Sequence, residues 1–314
     1  MDVDFAFEPY GDDVQLARVR SALLRADEDG NRLAAVLRRS FDQLYDGQHT
    51  GRFSMDQLTK TEKAHYGTIV EINLRREFDD VIQDGGLLDY SIEGIDVDCK
   101  FSIKFGGWMI PPEAFGKLLL VLHADDRTAE FSGGLVRATP DHLRTSRNRD
   151  GKTSLNPHGR ARVDWLWSGA ELPPNVLLQL DPEDVAAVFG MRSGQQRVNE
   201  LFRRAQGRRV ARSTVATVAQ QDDFMKRVRA NGGARSALAP EGIAIFAGDY
   251  REQRGAAAAL GLMAPLPGEF VSARVHPATA DDVNVAVLDG RAWRLAHPSD
   301  GDCAVPAPVR MRSA

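Results

Sequence analysis

The chain has 314 residues, enough for about two domains at roughly 150 residues each. Hydrophobic residues make up 43% and charged residues 27%, which excludes a disordered or fibrous chain. No run approaches the ~20 apolar residues of a spanning helix. The acidic start MDVDFAFEPYGDD lacks the basic and apolar regions of a secretory signal. Two cysteines, Cys99 and Cys303, exclude a disulfide framework or a thiolate metal cluster, so a cytoplasmic protein with no membrane association is expected.

The net charge of −4 conceals an asymmetry. Residues 1–150 carry 19 basic and 27 acidic residues, whereas 151–314 carry 21 and 17, with 11 against 3 in 191–235 alone. This division predicts a cation-binding site beside a polyanion-binding one. A solvated helical face is the plainer account of the basic run.

Apolar residues at helical spacing predict helices at 14–25, 32–44 and 61–78. The period then changes to two, giving strands at 87–92 and 95–105 around the Glu93-Gly94 loop, a hairpin signal. Further strands follow at 118–122 and 131–139; LLLVL, without alternation, predicts a central strand covered on both faces. Segment 141–160 is polar, with Arg144, Arg147, Arg149 and Lys152, and reads as an exposed loop. SGAELPP (168–174) is the best linker, placing one domain at 1–168, the linker at 169–174 and a second domain at 175–314. The second domain should hold a short strand near 176–180, a helix at 182–189, helices across 196–229, and strands at 242–247, 270–275 and 283–288.

The 95–105 strand puts Ile95, Val97, Cys99, Phe101 and Ile103 on one face and Asp96, Asp98, Lys100, Ser102 and Lys104 on the other. With a two-residue loop, Ile92 faces Ile95 and Asp89 faces Asp98. Directly opposed like charges are destabilising. A divalent cation between the carboxylates offsets that repulsion, as does protonation of one carboxylate or neutralisation by Lys100. Asp89…Asp98-Cys99-Lys100 is the spacing of a PD-(D/E)xK nuclease site. With seven lysines and 44 acids in the chain, an acid-x-Lys triplet is expected about once by chance, and Asp150-Gly151-Lys152 is a second instance. That one lacks strand alternation and a partner acid. The first gains weight from its hairpin, its opposed aspartate and Glu71, which lies in an apolar stretch of the preceding helix. Arg75, four residues on, is the alternative partner for Glu71.

The stretches DQLYDGQHTGRF (42–53), DQLTKTEKAHYGTIVEINL (56–74), VDCKFS (97–102) and 198–243 resemble the NaeI-type restriction endonucleases, with segment order preserved over nearly the whole chain. The resemblance implies an α/β (α+β) protein. Its N-terminal domain would be PD-(D/E)xK restriction-endonuclease-like, and its C-terminal domain a winged helix-turn-helix similar to that of catabolite activator protein. It implies a homodimeric, Mg²⁺-dependent type IIE enzyme that binds two copies of GCCGGC in double-stranded DNA. One copy is cut to blunt ends and the other acts as effector, and a cognate methyltransferase protects the host. The family's active-site residues fall on Glu71, Asp89, Asp98 and Lys100, with the Cys99 backbone carbonyl as a further metal ligand and its thiol in the core.

Leu44-Tyr45-Asp46-Gly47 is a further family feature, similar to the K-x-D-G motif of DNA ligases and expected near the cleavage centre. Leucine replaces the nucleophilic lysine, so no adenylate chemistry is implied; a helix end with an Asp-Gly turn explains the last two residues. In the second domain, 213–220 and 222–230 are candidates for the paired helices, with 242–246 as a wing. Arg208, Arg209, Arg212 and Arg235 are candidate phosphate contacts, while Lys226, Arg227 and Arg229 face outward, Arg227 or Arg229 being placed to read guanine. The competing readings are a DNA-binding regulator with an inactive nuclease-like domain and a nicking or repair nuclease.

Overall fold

The computed structural model describes residues 13–306. Helices form where the apolar spacing places them. Asp13 caps α1 (Val14–Ala26) by accepting from the Leu16 N–H at 3.0 Å. Asp27 accepts from the N–H groups of Arg32 and Leu33, at 3.0 and 2.9 Å, at the start of α2 (Asn31–Tyr45). Two compact units result: Met1–Leu44 with Lys60–Pro173, and Tyr45–Thr59 with Pro174–Ala314. The short helix α3 (Gly47–Thr50) therefore belongs to the second unit, while α4 (Lys60–Glu77) returns to the first.

The first unit is built on one six-stranded sheet: β1 (Ile82–Asp84), β2 (Tyr90–Ile92), β3 (Ile95–Ser102), β4 (Leu118–Asp125), β5 (Glu130–Arg137) and β6 (Asp164–Glu171), in that spatial order, with the short helix α5 (Pro157–Ala161) between β5 and β6 in the chain. All neighbours are antiparallel except β3 and β4. The β2–β3 hairpin has the expected register, Ile92 opposite Ile95, and Glu93 and Gly94 both adopt positive φ, 52° and 74°, as a tight hairpin turn demands. Leu118–Leu122 are at most 1% exposed, as a central strand requires.

One face of the sheet packs against α4, with the Tyr66 and Phe101 rings 4.5 Å apart. The other carries a second apolar layer that includes Trp108, Ile110, Leu119, Val121, Leu143 and Leu155. The polar side of β3 therefore faces a second core rather than open solvent. Two local expectations change. Residues 168–171 continue β6 instead of forming linker, and β1, too short to show a period, was not foreseen.

In the second unit, α6 (Val176–Gln179) is a helical turn where a strand was expected. Four apolar residues show no period to separate the two, and the Asn175 side chain decides the outcome by accepting from the Leu177 N–H at 3.2 Å. Then follow α7 (Pro182–Phe189), α8 (Gly194–Arg204), β7 (Arg209–Ala211) and α9 (Arg212–Ala219). The second of the expected paired helices is absent. Phe224–Val228 is a 3₁₀ turn closed by bonds such as Lys226 N–H to Asp223 O at 2.8 Å. A Cβ on Gly233 would lie 2.4 Å from the Arg229 nitrogen, so the chain folds back on this turn too closely for an α-helix to extend.

After α10 (Ala234–Leu238) come β8 (Ile243–Ala247), α11 (Arg251–Ala259), β9 (Glu269–Pro277), β10 (Ala286–Leu288) and β11 (Arg291–Leu295). All five β8 residues are buried and paired along β9, so 243–246 lie in a buried strand rather than a projecting wing.

The ligase-like motif divides between the units. Leu44 closes the first, where it is buried, and Tyr45, Asp46 and Gly47 fold with the second. Asp46 sits in the left-handed region (φ 47°) that ends α2. Gly47 is fixed by packing on α9, since a Cβ there would lie 2.1 Å from Thr217 Oγ1 and 2.8 Å from Arg52 O. Gly47→Ala is expected to destabilise the second unit by ~2–3 kcal/mol. Adding Thr217→Ala should return part of that loss in a denaturant-melt double-mutant cycle, and strict additivity would disprove the contact.

Candidate active site

The hairpin register brings Asp89 and Asp98 to opposite ends of one cross-strand line, next to the Tyr90–Val97 pair. Asp89 Oδ2 accepts from the Cys99 N–H at 2.9 Å. The Lys100 ammonium lies 2.9 Å from Asp98 Oδ2 and 3.3 Å from Asp89 Oδ2 and donates to the Cys99 carbonyl at 2.7 Å. Three oxygens thus converge on one cation. Lys100 thereby offsets part of the repulsion between the opposed aspartates.

Asp98 is 3% exposed, because its sheet partner Leu119 and that of Lys100, Val121, belong to the second apolar layer. Burial pushes its carboxyl up to about 7, partly countered by Lys100. Burial works against the Lys100 ammonium, yet Asp98 and Asp89 outweigh it and raise its pKa, so the lysine stays charged. Asp98 Oδ2 is buried without a well-aligned hydrogen bond despite the nearby ammonium, leaving lone-pair capacity for a ligand.

Glu71 stands on α4, partly buried. Desolvation and the Asp89 charge raise its pKa, while Lys100 pulls it down. Arg75 does not pair with it but reaches Asp84 at 2.5 Å. The Glu71 backbone carbonyl accepts from the Tyr90 hydroxyl at 2.9 Å, which ties α4 to the hairpin. Tyr90 is thus a positioning residue outside the acid–lysine pattern. Its signal was a tyrosine next to Asp89 in an apolar strand, since a buried phenol needs a partner. Cys99 is fully buried and burial pushes its thiol well up, so it is no nucleophile.

Among the described residues, no three His, Cys, Asp or Glu side chains lie close enough together to hold a metal ion. The oxygens nearest Lys100 are two carboxylates and a carbonyl, a hard donor set suited to Mg²⁺ once waters complete it.

The family described as restriction endonuclease NaeI matches residues 17–306. The type II restriction enzyme NaeI of Lentzea aerocolonigenes is 50% identical over 308 residues, 96% of this chain and 95% of that relative. The chain belongs to the NaeI restriction endonuclease family. It is accordingly a type II restriction enzyme, a site-specific endonuclease.

The second unit of this NaeI-family chain sorts its basic residues into three groups. Arg208 and Arg229 are exposed, and among the described residues neither contacts a carboxylate. Arg212 pairs with Asp249 at 2.6 Å, Lys226 and Arg227 share Asp223 at 3.3 and 2.9 Å, and Arg209 lies 3.7 Å from Glu269. Arg235 differs from the rest. It is 5% exposed and donates to Ile245 O at 3.1 Å and Gln253 Oε1 at 2.9 Å. Arg235 is therefore a core residue, and its expected phosphate contact is withdrawn. Nearby acids in 249–269 absorb charge that the local count of arginines left free. Among the described residues, no helix is long and apolar enough to cross a membrane.

Proposed function

We propose that this chain hydrolyses double-stranded DNA at GCCGGC to blunt ends, in the cytoplasm, as a homodimer whose host carries a protecting methyltransferase. The supporting observation is the convergence of Asp89, Asp98 and the Cys99 carbonyl on the Lys100 ammonium within 3.3 Å. In this reading Asp98, Asp89 and the Cys99 carbonyl hold Mg²⁺, with Glu71 a ligand directly or through water. A divalent ion held there would supply polarisation of the scissile phosphate and a water of lowered pKa. Lys100 would orient the attacking water and stabilise charge on the phosphorane-like transition state. The apolar layer behind Asp98 excludes bulk water and strengthens these interactions.

The second unit binds the effector copy of the site as a helix-turn-helix-like domain. In it, α9 is the first helix and the Phe224–Val228 turn stands in the second position. Arg208 and Arg229, without a carboxylate partner among the described residues, supply cations for its phosphates, and Arg209, Arg212, Lys226 and Arg227 engage DNA by exchanging their carboxylate partners.

The test is a plasmid digest with end mapping, using zero, one or two GCCGGC sites with Mg²⁺ or with EDTA. Blunt, Mg²⁺-dependent cuts at the site, faster with a second copy, are the expected result. Tight, site-specific binding without any cut would replace the nuclease reading with a regulator.

A further inference from the structure

Residues 141–162 hold six basic residues against two acidic ones, a net +4. The rest of the first unit, Met1–Leu44 and Lys60–Pro173 without that segment, holds 15 against 25, or −10. Elsewhere in the unit, arginines are mostly neutralised: Arg20 by Asp164 at 3.2 Å, Arg32 by Asp80 at 2.8 Å, and Arg137 by Asp13 at 2.6 Å. Among the described residues, none of Arg144, Arg147, Arg149, Lys152, Arg160 and Arg162 contacts a carboxylate, and all but Arg160 are exposed. Leaving like charges unpaired together is unfavourable in the free protein, and a polyanion reverses that cost.

The segment is also built rather than slack. Asn148 Oδ1 accepts from the N–H groups of Asp150 and Lys152 at 3.0 and 2.9 Å, closing the tip. Thr153 Oγ1 donates to the carbonyls of Arg144 and Ser146, both at 2.9 Å. Arg147 is stacked over Phe115, 4.9 Å from the ring centroid. At the root, Thr153 and Ile110 exchange backbone hydrogen bonds at 2.8 and 3.0 Å. Ile110, Leu143 and Leu155 belong to the same apolar layer as Leu119 and Val121, the sheet partners of Asp98 and Lys100. The basic arm therefore stands on the sheet face toward which Asp98 and Lys100 point. A preordered arm spends little entropy on binding.

We infer that residues 141–162 form an arm that grips the phosphate backbone of the substrate duplex beside the cleavage centre, separately from any DNA held by the second unit. This rests on the nuclease reading above. Its partner is the sugar–phosphate chain of double-stranded DNA, which a row of unpaired cations engages whatever the base sequence, so the arm positions rather than specifies.

The test compares wild type with Arg144→Gln/Arg149→Gln/Lys152→Gln, all exposed positions outside the acid–lysine site. The probe is a GCCGGC duplex, cut under single-turnover conditions with Mg²⁺ at several salt concentrations, and the full chain is used. The expected outcome is a half-saturating DNA concentration raised on the order of 30-fold at ~0.1 M salt, with a log–log salt slope shallower by about 2.7. The limiting rate at saturating DNA should stay within about threefold of wild type, because the arm positions DNA without touching the reacting atoms. Arg144→Lys/Arg149→Lys, which keeps both charges, should retain the wild-type slope. Unchanged half-saturation and slope in the triple Gln variant would overturn the arm while leaving the nuclease reading standing. A lysine pair that also loses the slope would overturn phosphate gripping by charge. A wild type that cuts no DNA would remove the underlying reading itself.

Discussion

Asp98→Asn is expected to lower Mg²⁺-dependent cleavage by at least ~10³-fold and, at the same time, to make the metal-free protein more stable at pH 8. The two effects share one cause. Asp98 is nearly fully buried, and burial holds its carboxyl at about 7 rather than near 3.8. A carboxyl whose pKa is raised by folding contributes stability that is fully present below its unfolded value and lost as pH rises through its folded one. In EDTA, then, wild-type stability should fall between roughly pH 4 and pH 7, by on the order of 4 kcal/mol at ~1.4 kcal/mol per pKa unit, with the opposing pull of Lys100 already included.

Asparagine carries no charge, so the variant should show little of that decline. Cleavage should move the opposite way with pH, rising as Asp98 ionises, with a midpoint that falls as the Mg²⁺ concentration is raised because a bound cation favours the carboxylate. Thermal melts in EDTA from pH 5 to 9, run beside cleavage rates over the same range, check both limbs. A variant that cuts at the wild-type rate would dismiss Asp98 from the site. An unchanged pH dependence of melting would dismiss burial as the source of its shift.

How far the site was legible follows from which interactions are local. The hairpin register rests on a two-residue loop and alternation, both written into 87–105, and Asp89, Asp98 and Lys100 meet as that register requires. Glu71 lies some twenty residues away on α4, and its approach depends on the Tyr90 hydroxyl bond to its carbonyl, a tertiary contact with no periodic signal. The second apolar layer was also hidden. Alternation on β3 shows which face is polar but not what covers it, and the cover comes from Trp108, Ile110 and the 143–155 segment.

In the second unit, local reasoning failed where backbone closeness governs. Gly233 against the Arg229 backbone stops a helix that 222–230 would otherwise continue. Likewise the fate of Gly47 is set by Thr217, 170 residues on. Composition told which residues are cationic, but only the fold tells which are neutralised.

Arg235 shows that distinction most directly, and Arg235→Ala is expected to act on folding rather than on DNA contact. Its guanidinium donates to the Ile245 carbonyl, on the wholly buried β8, and to Gln253, which itself accepts from the Ala247 N–H at 2.8 Å. Removing the side chain deprives two buried acceptors of a charged donor, at roughly 1.5–3 kcal/mol for each such bond. The total of about 3 kcal/mol or more corresponds to a fall of roughly 6–12 °C in the melting temperature of a unit this size. Arg235→Lys should recover little, because an ammonium cannot reproduce the planar fork that reaches both acceptors.

A phosphate-contacting arginine behaves differently: its loss leaves the melt unchanged and makes the salt dependence of DNA binding shallower by about 0.9, as expected for Arg208→Gln and Arg229→Gln. Melts and salt titrations of the three variants side by side separate the roles. An Arg235→Ala protein that melts like wild type yet binds with a shallower slope would return Arg235 to the DNA interface and require the buried fork to open in solution.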